Sequence, residues 1–297
     1  MDELLQTDNL RKEYKDTVAL KGLSFTVRRG QVFGLLGPNG SGKTTTLGIL
    51  LGVIKADGGS FSWFGKGEKD DNRKNIGSLL ETPNFYPYLN AVDNLKIVAK
   101  IKDVPNSDDS IEKSLKKVNL WDRRKSKFKN FSLGMKQRLA IASAMLSDPE
   151  VLVLDEPTNG LDPQGIAEMR TLIKEIAEGG KTIIIASHLL DEVEKLCTHV
   201  AILKQGELLQ VGTMEEILTQ DKLLLVKSEN LDDLNVFINS SDAITLIKEL
   251  NGEFMIAVDE KYSSADINKM FAEQNIYLSG LREYKKNLES TFLEIVQ

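Results

Sequence analysis

Residues 32–45 read VFGLLGPNGSGKTT, an apolar run ending in Gly37-x-x-x-x-Gly42-Lys43-Thr44. Glycines in such a loop accept backbone dihedrals that a Cβ resists, so successive N–H groups can turn inward on an anion. Lys43 adds a mobile positive charge, and the Thr44 hydroxyl suits a place on Mg²⁺. The next run, TTTLGILLG, has the composition of a helix whose N-terminal dipole would face the same anion. The expected ligand is a nucleoside triphosphate. Its β- and γ-phosphates would be held by Gly37, Asn39, Gly40, Ser41, Gly42, Lys43, Thr44 and Thr45.

Kinases, GTPases, helicases and transport ATPases all share a loop of this kind, so other residues must decide among them. VLVLDEP closes a second apolar run with Asp155 and Glu156. Adjacent carboxylates on an extended strand point in different directions and cannot share one role. Asp155 is placed to hold Mg²⁺, directly or through water, and Glu156 to polarise an attacking water. Upstream, FSLGMKQRLAIA sets Ser132 and Gly134 at a predicted helix start, a second N-terminus suited to an anion. NGLD brings Asp162, and ASH leaves His188 at the end of a further apolar run.

These residues need a scaffold, and the hydrophobic pattern supplies one. LLQTDNLRKEY, ALKGLSFTV, QVFGLLG and GGSFSWFG read as strands, a β-rich entry to an α/β core. Between about 85 and 150 apolar positions recur every three and four residues, which predicts a helical insertion. In its last helix Met135, Leu139, Ala142 and Leu146 share a face. EVLVLDEP and KTIIIASH then read as buried parallel strands joined by the helix QGIAEMRTLIKEIAE. From residue 221 the phosphate chemistry stops. KLLLVKS, LDDLNVFINS, AITLIKEL, EFMIAVDE, ADINKMFAEQ and NIYLSGLREY predict strand, helix, strand, strand, helix, strand, a small α+β domain of the ferredoxin-like kind. A helix LESTFLEIV, with Leu288, Phe292 and Ile295 on one face, closes it. The expected domains are 1–220 and 221–297.

At 297 residues the chain has room for two cores, and 41% hydrophobic with 28% charged residues is ordinary for a globular protein. A net charge of −6 argues against a nucleic-acid platform. The apolar runs are strand-length, far short of the ~20 residues that span a bilayer, and MDELLQ is no signal peptide; a cytoplasmic chain is expected. Cys197, the single cysteine, excludes an internal disulfide and reads as a buried structural thiol. Arg123, Arg124, Lys125, Lys127 and Lys129 read as a solvated loop, and His199 as a surface residue.

The set and order of these motifs resemble the nucleotide-binding subunit of ATP-binding-cassette (ABC) transporters. That resemblance implies a P-loop NTPase core with a β-subdomain and a helical insertion, using ATP and Mg²⁺. It also implies two head-to-tail copies with two ATPs sandwiched between them, Ser132 and Gly134 of one copy meeting the γ-phosphate held by the other. Asp162 and His188 would report that phosphate, and Tyr14 would stack on adenine. The signature commonly written LSGGQ is here Phe131, Ser132, Leu133, Gly134, Met135. Where the family carries a Gln beside the metal, IGSLLETPNFYPYL offers Glu81, an acceptor that cannot donate when ionised and that adds negative charge near Mg²⁺. Both departures resemble the bacitracin and lantibiotic-immunity branch.

The implied function is ATP hydrolysis that drives export through separate integral-membrane permease subunits, from the cytoplasmic face of the membrane. The permease would dock near Glu81 to Tyr88, and the best cargo is an antimicrobial peptide. A soluble cassette ATPase of DNA repair or translation generally has two cassettes or a long coiled coil, and neither is seen here. A phosphotransferase would leave the signature helix unexplained.

Overall fold

The computed structural model describes residues 2–66, 70–80, 83–218, 222–241, 243–250, 252–259, 261–284 and 286–296. It divides into two compact units, Met1–Met214 with Phe292–Gln297, and Glu215–Thr291.

The first unit begins with three antiparallel strands, β1 (Glu3–Tyr14), β2 (Thr17–Leu23) and β3 (Thr26–Arg28). The run ALKGLSFTV is thus two strands and not one. β1 pairs with β3 through its first residues and with β2 through its last, so its edge partner changes where the chain breaks between them. Next come β4 (Val32–Leu36), α1 (Lys43–Leu50) and β5 (Gly58–Trp63), the last pairing with β1. β6 (Ile76–Leu79) precedes the helices α2 (Ala91–Ile101), α3 (Ser107–Lys117) and α4 (Leu133–Met145). β7 (Val151–Asp155), α5 (Pro163–Glu178), β8 (Thr182–Ser187), α6 (Leu190–Leu196), β9 (His199–Lys204) and β10 (Glu207–Thr213) complete it.

The second sheet runs β10-β9-β4-β8-β7-β6, parallel from β9 to β6 with β10 antiparallel at one edge. Every residue of β4, β7 and β8 is buried, as expected of strands covered on both faces. Their carboxyl ends lie level: Leu36 pairs with Ser187, and Asp155 with Ala186. Ligands of open α/β sheets bind beyond such ends. Side chains of the antiparallel sheet (Leu4, Leu10, Leu20, Trp63), of α1 (Leu47, Leu50) and of the parallel sheet (Leu35, Ile184, Ala201) share one core. Each buried aliphatic side chain contributes about 1.5–3 kcal/mol. The Trp63 indole N–H donates to the Leu50 carbonyl at 2.9 Å, tying β5 to the last turn of α1. On α4 and its C-cap, Leu139, Ala142 and Leu146 are buried as their spacing predicts, with Met135 half-buried.

α7 (Met214–Leu218) leads to the second unit's β11 (Lys222–Ser228), α8 (Leu231–Ser240), β12 (Ile244–Leu250), β13 (Glu253–Val258), α9 (Ser264–Glu273) and β14 (Leu278–Tyr284). The helix α10 (Leu288–Val296) follows. The sheet is antiparallel in the order β12-β13-β11-β14, the ferredoxin-like arrangement of a split βαβ pair. Leu224, Val226, Phe254 and Ile256 face Leu234, Ile238, Ile267 and Phe271 of the helices.

Candidate functional site

The loop after β4 turns through residues 37–42 into α1, whose N-cap is Gly42 at φ 105°. A Cβ on Gly42 would sit 2.8 Å from the Ala19 carbonyl oxygen, and one on Gly37 would collide with the Leu203 carbonyl and the Ser41 side chain. Neighbouring strands, as well as the anion, therefore demand these glycines. Lys43 is buried, and its ammonium donates to the carbonyls of Gly37 at 2.8 Å and Pro38 at 3.3 Å. Burial pulls the Lys43 amine below its usual range, and the carboxylates of Glu156 and Asp155 oppose that pull.

Asp155, at the end of β7, is 2% exposed, and its Oδ2 accepts a bond from the Thr44 hydroxyl at 3.0 Å. The Ser41 hydroxyl oxygen is buried with no hydrogen-bond partner among the described residues. An inward loop, a buried ammonium, an open hydroxyl and a Thr–Asp oxygen pair fit a triphosphate with a hard, oxygen-seeking cation. Thr44 and Asp155 would hold that cation. Among the described residues no group of three or more His, Cys, Asp or Glu is placed to hold a metal unaided, so phosphate and water would supply the other oxygens.

Glu156 leaves β7 with φ 48°, and its N–H donates to the Ala186 carbonyl at 2.9 Å. Left-handed backbone is costly for a residue other than glycine and clusters at functional sites. Its Oε1 lies 2.9 Å from His188 Nδ1, and its Oε2 lies 3.4 Å from the Ser187 hydroxyl. An ionised carboxylate only accepts, so Nδ1 carries the proton in this contact. Glu156 joins Tyr14, Val18, Lys21, Gln205 and the loop from Asn39 to Thr45 around a cleft of about 640 Å³.

Ser132, Gly134, Asp162 and His188 do not line that cleft. Ser132 is exposed and caps α4, accepting from the Met135 N–H at 3.3 Å, with Gly134 in the first turn. Asp162 is exposed and caps α5, accepting from Gly165 N–H at 2.8 Å. Glu81 lies outside the described residues. His199 is half-buried and not a plain surface residue: its ring nitrogens lie 2.9 Å from Gln31 Nε2 and 2.9 Å from the Thr198 hydroxyl. Cys197 is buried, and burial pushes its thiol upward, as befits an inert side chain. The basic run is exposed except for Arg124, half-buried 4.3 Å from the Trp121 ring centroid.

Reading by motif missed Val18, Lys21 and Gln205, which reach the cleft from β2 and from the turn between β9 and β10. One signal was present, Gly206 in LKQGEL, which adopts φ 80° and whose carbonyl accepts from Lys21 N–H at 2.8 Å.

The ABC transporter family model matches residues 20–159. The bacitracin transport ATP-binding protein BcrA of Enterococcus faecalis is 33% identical over 303 residues, covering 100% of this chain and 97% of that protein. The lantibiotic transport ATP-binding protein SrtF of Streptococcus pyogenes is 40% identical over 206 residues, 69% of this chain and 89% of its own. The solved structure of cbiO1 from Clostridium perfringens, part of the ABC transporter complex cbiONQ, superposes with TM-score 0.67 at 30% identity, over 73% of this chain and 91% of that one. The chain belongs to the ATP-binding subunits of ABC transporters.

Proposed function

We propose that the chain hydrolyses ATP to ADP and phosphate between two copies of itself and passes the resulting motion to membrane permease subunits. The observation that carries this reading is the Glu156–His188 contact of 2.9 Å beside the cleft that holds Lys43 and the Thr44–Asp155 pair. Lys43 neutralises charge on the β- and γ-phosphates, and the loop N–H groups orient them. Mg²⁺, held by Thr44 and Asp155, would offset the negative charge of the bridging oxygens. Glu156 polarises the attacking water, and His188 fixes the carboxylate's direction while reading the γ-phosphate. Ser132 and Gly134 from the second copy, with Asp162, complete the enclosure. The exposure of Ser132 and Asp162 in the single chain supports a role toward a partner.

Among the described residues no helix is long and apolar enough to cross a membrane. Membership of the ATP-binding subunits supports work through a permease at the membrane's cytoplasmic face. Exposed Tyr86 and Tyr88, with ring centroids 5.8 Å apart, support docking ahead of α2, near Glu81. The names of BcrA and SrtF support a peptide antibiotic as cargo. Reconstituting the chain with its permease and measuring ATP-driven efflux of bacitracin-type and lantibiotic peptides tests this. Stimulated hydrolysis and efflux are expected, and neither peptide moving would reject the cargo. Glu81→Gln is expected to leave ATP binding intact and change the transport obtained per ATP; unchanged transport and hydrolysis would remove Glu81 from coupling.

A further inference from the structure

Tyr14 ends β1, pairs with Thr17 across a tight turn, and keeps 44% of its surface exposed at the rim of the cleft. An exposed ring at a strand end is a poor platform unless something fixes its tilt. The Lys12 ammonium lies 5.2 Å from the Tyr14 ring centroid. Tyr14 lines the cleft and Lys12 does not. Its side chain is 14% exposed and ion-paired to Asp57 Oδ1 at 3.0 Å.

Asp57 does more than hold the lysine. Its Oδ2 accepts from Glu13 N–H at 2.8 Å, and its own N–H donates to the Arg11 carbonyl at 2.9 Å. The residues from Arg11 to Glu13, which include a register shift between Lys12 and Glu13, are therefore stitched to one residue immediately before the tyrosine, Lys12 and Glu13 through its carboxylate and Arg11 through its N–H. The Glu13 amide, first, and the Lys12 ammonium hold that carboxyl below the usual range.

We propose that Lys12 and Asp57 are positioning residues that brace the Tyr14 ring as the platform for the nucleotide base. The proposal rests on the reading of Tyr14 as that platform. The cation draws π density toward its own face, and the opposite face becomes a weaker repeller of a stacked purine. The pair acts on the base and sugar end of the nucleotide alone, because the phosphates are held by groups on other elements.

The test compares binding of β,γ-imido ATP with binding of inorganic tripolyphosphate, which has no base, by calorimetry on the full chain with Mg²⁺. Lys12→Met should weaken the ATP analogue about two- to fivefold and leave tripolyphosphate unchanged. Asp57→Asn should act in the same direction, and Lys12→Arg should restore the original affinity. An unchanged ATP-analogue affinity in Lys12→Met, beside a loss in Tyr14→Ala, overturns the brace and spares the platform. An equal loss for both ligands in Lys12→Met marks general damage and also overturns it. If Tyr14→Ala leaves the analogue's affinity intact, the platform reading itself fails.

Discussion

The cleft of the first unit and the sheet of the second are built from similar aliphatic cores, yet they differ in how they treat charge. Lys43 and Asp155, the two charged residues buried among the described residues, both belong to the first unit and flank the same loop. Glu156 in left-handed backbone and a Ser41 hydroxyl without a partner sit beside them. Burying a charge or leaving a hydroxyl open opposes folding, and Lys43, Asp155 and the Ser41 hydroxyl gather where one ligand can answer all three. Among the described residues the second unit buries no charged side chain; its buried Thr291 hydroxyl lacks a partner and Asn275 adopts φ 59°, but neither sits beside a buried charge. Its buried Ser228 donates to the Tyr277 carbonyl at 3.1 Å, Asn230 caps α8, and Ser263 with Asp266 forms a capping box at α9. Local signals there agree with the fold, and in agreeing they say nothing of a ligand. Function is written where local rules are broken.

The comparison can be broken most severely at Glu156. Removing a general base typically costs about 10²–10⁴ in rate, so Glu156→Gln should lose turnover by that order in a phosphate-release assay while still binding ATP. Turnover that survives would remove Glu156 from its role.

In the second unit the largest effect belongs to packing. Phe271 is fully buried, 5.0 Å from Phe237, and Phe271→Ala should cost that unit about 3–5 kcal/mol, read as lost amide-exchange protection across α8 and α9. ATP affinity is expected to stay as it was. A parallel fall in affinity would show that the two units do not divide stability from chemistry.

Lys43→Ala comes next. Hydrogen bonds to charged groups contribute about 1.5–3 kcal/mol, so ATP should bind roughly 10- to 100-fold more weakly by calorimetry.

The smallest effect is also the most discriminating. As an N-cap alone, Ser132→Ala would cost about 1 kcal/mol and Ser132→Gly a few tenths. If the hydroxyl also serves a partner's nucleotide, both variants should lose ATP-dependent pairing equally, whatever their thermal stability. Pairing retained in the glycine variant would leave Ser132 with capping alone.

How much of this was legible in the sequence follows the same division. Gly37 to Thr44, Asp155 and Glu156 were legible as candidates because phosphate, metal and proton chemistry each demand specific residue types at fixed spacing, and His188 through its strand-end place and the family resemblance. The direct Thr44–Asp155 bond and the turn of Glu156 toward His188 were not readable, since they depend on β7 and β8 ending level with β4. Gln205 and Lys21 carry no motif and reach the cleft only through the pairing of distant strands. ALKGLSFTV hid its break because Leu23, Phe25 and Val27 alternate across it as in one strand. Asn94 was invisible for another reason. One buried amide among helix-spaced apolar residues has no signature, yet it accepts from Tyr86 N–H at 2.8 Å and donates to the Tyr86 carbonyl at 3.2 Å, fixing the turn that bears the exposed tyrosines. The second unit's strand and helix order was plain from periodicity, and its purpose was not. BcrA aligns with this chain along its whole length and SrtF over 69% of it, so relatives of similar identity differ in how much of the chain they share.

Sedimentation velocity of Glu156→Gln, with and without saturating Mg²⁺ and ATP, bears most directly on two chains jointly enclosing nucleotide. A nucleotide-dependent shift from monomer to dimer, abolished by adding Ser132→Gly, is the predicted result. A chain that stays monomeric at saturation, or a dimer indifferent to Ser132, would contradict the account.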